Sequence, residues 1–169
     1  MMQSRNRKTA YIGLFTACGI LFGYIEFLLP LPIGIPGVKI GLSNIVTLSS
    51  LFLLGPGAAF IVMLLRIVLS GLMFGNLFGI LYSLAGGIAA YITMLVAKRL
   101  GIFGVLGISI VGGVFHNIGQ LVVAAVVVTS MKLIFYLPAL LISGLIAGAA
   151  VGIASGIIIN RLQRFVRLN

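Results

Sequence analysis

Three polar side chains interrupt the long apolar run between Gly101 and Val128, namely His116, Asn117 and Gln120. An unsatisfied polar group costs several kcal/mol in a membrane interior, and ionisable residues at such positions are by default functional. On a helix His116 and Gln120 share one face, whereas Asn117 points roughly 100° away towards a different neighbour. These side chains could bind a ligand through hydrogen bonds, or they could only join neighbouring helices.

A second candidate centre is the charged pair Arg66 and Glu26. Arg66 lies about ten residues into an apolar run, which at 1.5 Å per residue is roughly 15 Å deep, near the middle of a bilayer. A lone arginine on the lipid face is costly, so we expect Arg66 to point inward. Glu26 is the only acidic residue of the chain. Arg66 therefore pairs with Glu26, awaits an external anion, or bonds to backbone carbonyls at a broken helix.

Composition places the chain among integral membrane proteins. Of its 169 residues 62% are hydrophobic and 7% are charged, whereas a soluble domain is about a quarter charged. A net charge of +10 would suggest nucleic acid in a soluble protein, but here most basic residues flank apolar runs, so no nucleic-acid partner is expected. The single cysteine, Cys18, excludes an intramolecular disulfide, and with one histidine it predicts no metal site.

Six apolar runs predict an all-α integral membrane protein of one domain, residues 1–169. The predicted spans are residues 8–29, 42–54, 58–74, 77–97, 102–128 and 133–159, followed by a basic tail at 160–169. The first is expected to be an uncleaved transmembrane helix rather than a signal peptide. The second is short and could start in the preceding proline-rich loop and enter the membrane partway.

The distribution of basic residues predicts the orientation of the bundle. One side would carry Arg5, Arg7, Lys8, Lys98, Arg99, Arg161, Arg164 and Arg167. The opposite side would carry only Lys39 and Lys132. The positive-inside rule then places both termini in the cytoplasm, with the chain in the bacterial cytoplasmic membrane.

Most polar residues of the predicted spans gather in the half of the bundle that faces away from the cytoplasm. The candidate ligand-binding residues are Glu26, Lys39, Asn44, Arg66, Asn76, Tyr82, His116, Asn117 and Gln120. The other half contains mainly glycine, alanine and aliphatic residues. We therefore expect a pocket that is reached from outside, and no catalytic residue.

Small residues recur at every fourth position on the first and last spans. The two stripes are Thr9, Gly13 and Ala17, and Gly144, Gly148, Gly152 and Gly156. Such stripes permit close packing between helices. For the last span we expect packing within the monomer. For the first span, internal packing and docking of a partner protein are both open.

Longer stretches resemble a known group of membrane proteins. The run Gly37–Ile45 with Leu54–Pro56, the six short spans and the small-residue face of the first span resemble the S components of energy-coupling-factor (ECF) vitamin importers. The stretches Gly113–Gln120 and Tyr136–Gly144 are more similar to one branch. That branch is the Gx transporter family, also known as heptaprenyl diphosphate synthase component I.

The resemblance implies an S-component-like bundle of six helices that captures a small molecule from outside. The loop Pro30–Ile40 would close over the ligand, with Lys39 facing the site. Gly13 and Ala17 would dock the transmembrane coupling subunit, which is linked to two ATPases; the usual motif has alanine at both positions, and Gly13 departs from it. The branch also resembles a membrane protein of flavin- and quinone-linked extracellular electron transfer systems.

Three classes of function remain open. The first is the binding subunit of an importer, with no catalysis and no intrinsic cofactor, whose ligand could be a flavin, a quinone or a prenyl compound. The second is an enzyme component in prenyl diphosphate synthesis, but magnesium–diphosphate chemistry relies on carboxylates and this chain has a single one. The third is a membrane subunit of a redox system, in which one histidine cannot supply a bis-histidine haem site.

Overall fold

The computed structural model describes residues 2–29, 41–129 and 131–163, and the elements in these ranges are all helical. They are α1 (Met2–Leu28), α2 (Leu42–Leu53), α3 (Pro56–Phe74), α4 (Leu77–Leu100), α5 (Val105–Val128), a short 3₁₀ segment (Met131–Tyr136) and α6 (Leu137–Leu162). Five of these helical segments are long and apolar enough to cross a membrane, and α2 is a shorter apolar helix of 12 residues. The predicted all-α membrane fold is confirmed, and the chain is a multi-pass membrane protein.

The boundaries differ from the predicted spans mainly at two places. Helix α1 begins at Met2, earlier than residue 8. The last span begins as a 3₁₀ segment and becomes α-helical only at Leu137. Pro138 lies in the first turn of this α-helix, where a backbone N–H has no partner within the helix, so the missing donor of proline costs nothing. The predicted loop Pro30–Ile40 and the tail residues 164–169 lie outside the described residues.

The turn between α2 and α3 is made by Gly55 and Pro56. Gly55 has φ 88°, a backbone conformation that glycine adopts readily and other residues rarely do. Pro56 is the first residue of α3, a position that favours proline. The hydroxyl group of Tyr91 in α4 donates a hydrogen bond to the carbonyl of Pro56 at 2.9 Å. This bond fixes the turn beside the C-terminal half of α4, at what we call the Lys98 end of the bundle. The opposite end, at the α3–α4 turn, is the Asn76 end.

Helix α5 lies between α4 and α6 and packs closely against both through glycine. A Cβ atom on Gly112 would lie 2.6 Å from Cγ of Met94 in α4, and one on Gly119 would lie 2.7 Å from the carbonyl oxygen of Ala85. On the side of α6, a Cβ atom on Gly148 would lie 2.8 Å from Cα of Ile110. The predicted role of the α6 stripe in packing within the monomer is therefore confirmed at this position.

Helix α2 begins inside the bundle rather than at the Asn76 end. A Cβ atom on Gly41 would lie 3.4 Å from Cγ2 of Val151, which is about 21 Å along α6 from its first residue, Leu137, at 1.5 Å per residue. One turn further on, Ser155 Oγ donates to the carbonyl of Ile45 at 3.4 Å. Helix α2 therefore extends about 18 Å, from the middle of the bundle to the Lys98 end. The predicted short second helix is present, and its entry into the membrane partway stays a prediction.

The other end of α2 is held by a lysine. Nζ of Lys98 donates to the carbonyl of Leu51 at 2.7 Å and lies 4.3 Å from the centre of the Phe52 ring. A cation is favourable at the C-terminus of a helix, where unpaired carbonyls carry partial negative charge. The bond joins the last turn of α2 to the last turn of α4.

The N-terminal half of α1 and the C-terminus of α6 lie at the Lys98 end. Tyr11 and Leu162 both pack against the apolar cluster that contains Phe15, Leu54 and Ala58. Both ends of the described chain are therefore at one end of the bundle. That this end faces the cytoplasm stays a prediction.

The α5–α6 contact predicts different effects for one substitution at two positions of the same stripe. Gly148→Ala should lower the free energy of unfolding by about 1–3 kcal/mol, because the new methyl group meets backbone atoms of α5. Gly156→Ala is the matched control, since a Cβ atom there meets nothing within 4 Å. Unfolding in mixed micelles, followed by circular dichroism, measures both. Equal stability of the two variants would contradict the packing described.

Candidate functional site

A cavity of about 240 Å³ lies between the helices and is lined by residues of all six. At roughly 30 Å³ per molecule in liquid water, it has room for about eight waters. The polar side chains that line it are Glu26, Ser43, Asn44, Arg66, Ser70, Ser83, Ser109, His116 and Asn117. Its remaining wall is glycine, alanine and larger apolar side chains. The structure therefore brings five of the nine predicted binding residues to one cavity: Glu26, Asn44, Arg66, His116 and Asn117.

Arg66 is the most deeply buried of the charged residues on this cavity, with 6% of its surface exposed. Its Nε donates to Thr47 Oγ1 at 2.9 Å, and its Nη2 donates to Asn44 Oδ1 at 2.6 Å. Its aliphatic stem packs against Gly19 of α1, where a Cβ atom would lie 3.0 Å from Cδ of Arg66. The prediction that Arg66 points inward is confirmed, and its described partners are side-chain oxygens of α2 rather than backbone carbonyls.

The side chain of Glu26 on α1 contacts Gly41, the residue that immediately precedes α2. Its carboxylate oxygen Oε1 accepts a hydrogen bond from the backbone N–H of Gly41. A carboxylate is favourable at a helix N-terminus, where unpaired N–H groups carry partial positive charge. Glu26 and Arg66 line the same cavity, but no ion pair joins them. A direct ion pair, which was one of the alternatives for Arg66, is therefore not present, although the Glu26 carboxylate lies close enough to attract the guanidinium.

Asn117 and His116 face different neighbours, as the helical spacing predicts. Asn117 is 8% exposed, and its Nδ2 donates to the carbonyl of Leu140 at 2.7 Å and to Ser143 Oγ at 3.0 Å, both on α6. His116 lines the cavity and packs against α4, where a Cβ atom on Gly86 would lie 3.0 Å from its Cε1. Asn117 therefore serves helix packing and faces the cavity at the same time.

Gln120 shares the α4-facing side of α5 with His116 but does not line the cavity. A Cβ atom on Gly86 would lie 2.8 Å from Cγ of Gln120. The side chain is 1% exposed, and neither amide atom has a hydrogen-bond partner among the described residues. The predicted shared face is confirmed, whereas the structure places Gln120 behind the cavity wall.

Two other predicted binding residues, Asn76 and Tyr82, do not line the cavity. Asn76 is exposed and caps α4, since its Oδ1 accepts from the N–H of Gly79 at 2.7 Å. Tyr82 is half-buried and does not line the cavity. Lys39 lies outside the described residues. Asn44 does line the cavity, but it lies near mid-bundle rather than at the outer end, because α2 begins there.

Sequence reasoning missed Thr47, which holds the guanidinium of Arg66. Thr47 lies three residues after Asn44, so the two oxygens share one face of α2. That spacing was a readable signal, but threonine in an apolar helix commonly bonds only to its own backbone. Only the position of α3 opposite this face shows that both oxygens have a shared partner.

The small-residue face of α1 is exposed in the described structure. Gly13 and Ala17 are both exposed, and a Cβ atom on Gly13 would meet nothing within 4 Å. Leu14 and Leu21 on the same helix are also exposed, at 58% and 61%. Such a face is compatible with lipid or with another helix. Docking of a coupling subunit at Gly13 and Ala17 stays a prediction.

The sequence matches the family model described as heptaprenyl diphosphate synthase component I over residues 15–158. No significant match was found among curated proteins or among solved structures. The matched range includes every described residue that lines the cavity. The resemblance to S components of ECF importers is not confirmed by these comparisons and stays a prediction.

The hydrogen bond from Arg66 predicts that Thr47→Val will destabilise the bundle. The substitution keeps the shape of the side chain and leaves Nε of a buried cation without its acceptor, which costs about 1–3 kcal/mol. Thr93→Val is the control, because the Thr93 hydroxyl donates only to carbonyls of its own helix. Its effect should stay within about 0.5 kcal/mol. Unfolding in mixed micelles distinguishes them, and equal effects would show that the Thr47–Arg66 bond contributes little.

Proposed function

The chain belongs to the heptaprenyl diphosphate synthase component I family, and from that premise we propose that it is a membrane-embedded binding subunit. It captures a small molecule from the outer side in the cavity at Arg66 and passes it to an import machinery of the ECF type. The coupling subunit would dock on the exposed face of α1 at Gly13 and Ala17. The chain itself performs no catalysis.

The observation that carries this proposal is the buried guanidinium of Arg66 on the wall of a shared cavity. A buried charge is costly unless it is paired, and the described partners of Arg66 are neutral oxygens. Its fixed geometry offers donors to a carboxylate, phosphate or carbonyl group of a ligand. His116 and Asn117 on the opposite wall supply further polar contacts, which suit a ligand with an oxygen-rich group.

The size of the cavity limits which part of a ligand is enclosed. A volume of about 240 Å³ is below the usual range of roughly 300–1,000 Å³ for ligand pockets. It suits a single ring or a head group, such as the ring of a quinone or part of a flavin. A long prenyl tail would have to extend out of the cavity between the helices. Phe27 and Phe74 line the cavity near the Asn76 end, and their ring centres are 5.9 Å apart.

Binding without catalysis is supported by the side chains available. Prenyl chain extension generally holds diphosphate through magnesium on several carboxylates. The chain has one acidic residue, Glu26, whose carboxylate already accepts the N–H of Gly41. A cluster of carboxylates would therefore have to come from another protein.

The description of the family favours a second candidate, an accessory role in heptaprenyl diphosphate or menaquinone metabolism. A membrane subunit of a flavin- or quinone-linked extracellular electron transfer system is related to it in chemistry. These roles predict that deletion lowers menaquinone content or electron export without changing uptake of any vitamin. The importer role predicts that deletion lowers uptake of a vitamin without changing menaquinone content or electron export.

Replacement of the buried arginine tests the binding function directly. The full chain is purified in mild detergent, and small molecules that co-purify are identified by mass spectrometry. Arg66→Gln should lose the compound that wild type retains, because the donors for its acceptor group are gone.

Arg99→Gln is the matched control, since Arg99 is an exposed arginine at the end of α4, away from the cavity lining. It should retain the compound at the wild-type level. The proposal is wrong if both variants and wild type retain the same compounds in the same amounts.

A further inference from the structure

Two opposite charges face one small cavity and attract each other, but no hydrogen bond or ion pair joins them directly. Arg66 is held by Thr47 and Asn44, and Glu26 is held by the N–H of Gly41. Each group is thus fixed by its own neutral partner on or beside α2. Because both line the cavity, a ligand inside it can meet a positive group and a negative group at once.

We infer that the ligand is net-neutral and carries two complementary groups, one for each charge. A carbonyl or anionic oxygen accepts hydrogen bonds from Arg66, and an N–H or ammonium group donates to Glu26. This inference rests on the proposed binding function and specifies the chemical class of its ligand. It selects against a ligand whose enclosed part is anionic throughout, such as a diphosphate group.

Charge balance in the membrane supports the inference. Among the described residues that line the cavity, Arg66 and Glu26 carry opposite formal charges that sum to zero. A net-neutral ligand preserves this balance, whereas an anion would add a charge that these two residues do not compensate inside an apolar bundle, which is unfavourable. A polyanion would also lie close to the Glu26 carboxylate, and like charges repel each other.

Size gives an independent restriction on the same ligand. A volume of about 240 Å³ encloses only a compact group or a single ring, so the two polar groups must lie close together in the enclosed part of the ligand. A ring imide, with N–H beside carbonyl groups, satisfies this chemistry, and so does a short zwitterion. A simple quinone has two acceptors and no donor, so it would leave Glu26 without a partner in the ligand.

The test uses four probes of similar size on the purified full chain: 4-aminobutyrate, uracil, butyrate and butylamine. Equilibrium dialysis with labelled compounds gives each dissociation constant for wild type, Glu26→Gln, Arg66→Gln and Arg99→Gln. Glutamine keeps an oxygen that can accept the Gly41 N–H, so Glu26→Gln removes the charge and preserves the contact. A charge-assisted hydrogen bond contributes a factor of about 10 to 150 in affinity.

The expected result is that 4-aminobutyrate or uracil binds wild type at least about tenfold more tightly than butyrate and butylamine do. Glu26→Gln and Arg66→Gln should each remove that preference, and Arg99→Gln should keep it. Preferential binding of 4-aminobutyrate identifies a zwitterion, and preferential binding of uracil identifies a ring imide.

Tightest binding of butyrate, strengthened by Glu26→Gln, would overturn the inference and leave the proposed function standing. If none of the four probes binds, the compound whose retention depends on Arg66 is subjected to electrophoresis at neutral pH. A net charge on it overturns the inference, and net neutrality supports it. Absence of any Arg66-dependent compound, together with four failed probes, overturns both proposals.

Discussion

The structure depends on one requirement, the placement of a permanent positive charge inside an apolar bundle. Arginine does not lose its proton in proteins, so the surroundings of Arg66 must stabilise the charged form. Helix α2 meets this requirement by presenting Thr47 Oγ1 and Asn44 Oδ1 on one face. Gly19 of α1 makes room for the aliphatic part of the side chain. The Arg66 side chain of α3 therefore contacts two other helices, α2 through its guanidinium and α1 through its aliphatic part.

Close packing by glycine forms the opposite wall. Gly112 lets Met94 approach α5, and Gly148 lets α6 approach the backbone of α5. The hydrophobic effect does not favour association of helices within lipid, so close van der Waals contacts of this kind supply much of the free energy of helix association. The result is a tight layer of α4, α5 and α6 beside a more polar group of α1, α2 and α3, with the cavity between them. The charged residues on the cavity, Glu26 and Arg66, both lie in the group of α1, α2 and α3, whereas α5 contributes the uncharged Ser109 and Asn117 and the imidazole of His116.

Much of this architecture follows from one-dimensional patterns. Hydropathy predicts the helices, the cost of a lipid-exposed arginine predicts that Arg66 points inward, and helical spacing predicts that Asn117 and His116 face different neighbours. The same logic fails where a local backbone function competes with ligand binding, as for Asn76, which caps α4. It also fails where depth matters: a sequence does not show that Gly41 lies beside Val151, so Asn44 was expected too near the outer end. The Glu26–Gly41 and Thr47–Arg66 bonds join residues that only tertiary packing brings together.

Helix α2 is bonded at both ends, by Glu26 at Gly41 and by Lys98 at the carbonyl of Leu51. A rigid rod fixed at two points cannot tilt or slide without breaking one of the bonds. Asn44 lies at the cavity, and Leu51 lies about 10 Å further along the helix axis. A displacement of the helix at Asn44 would therefore also displace Leu51. The 12-residue helix is thus a mechanical link between the interior of the bundle and its Lys98 end.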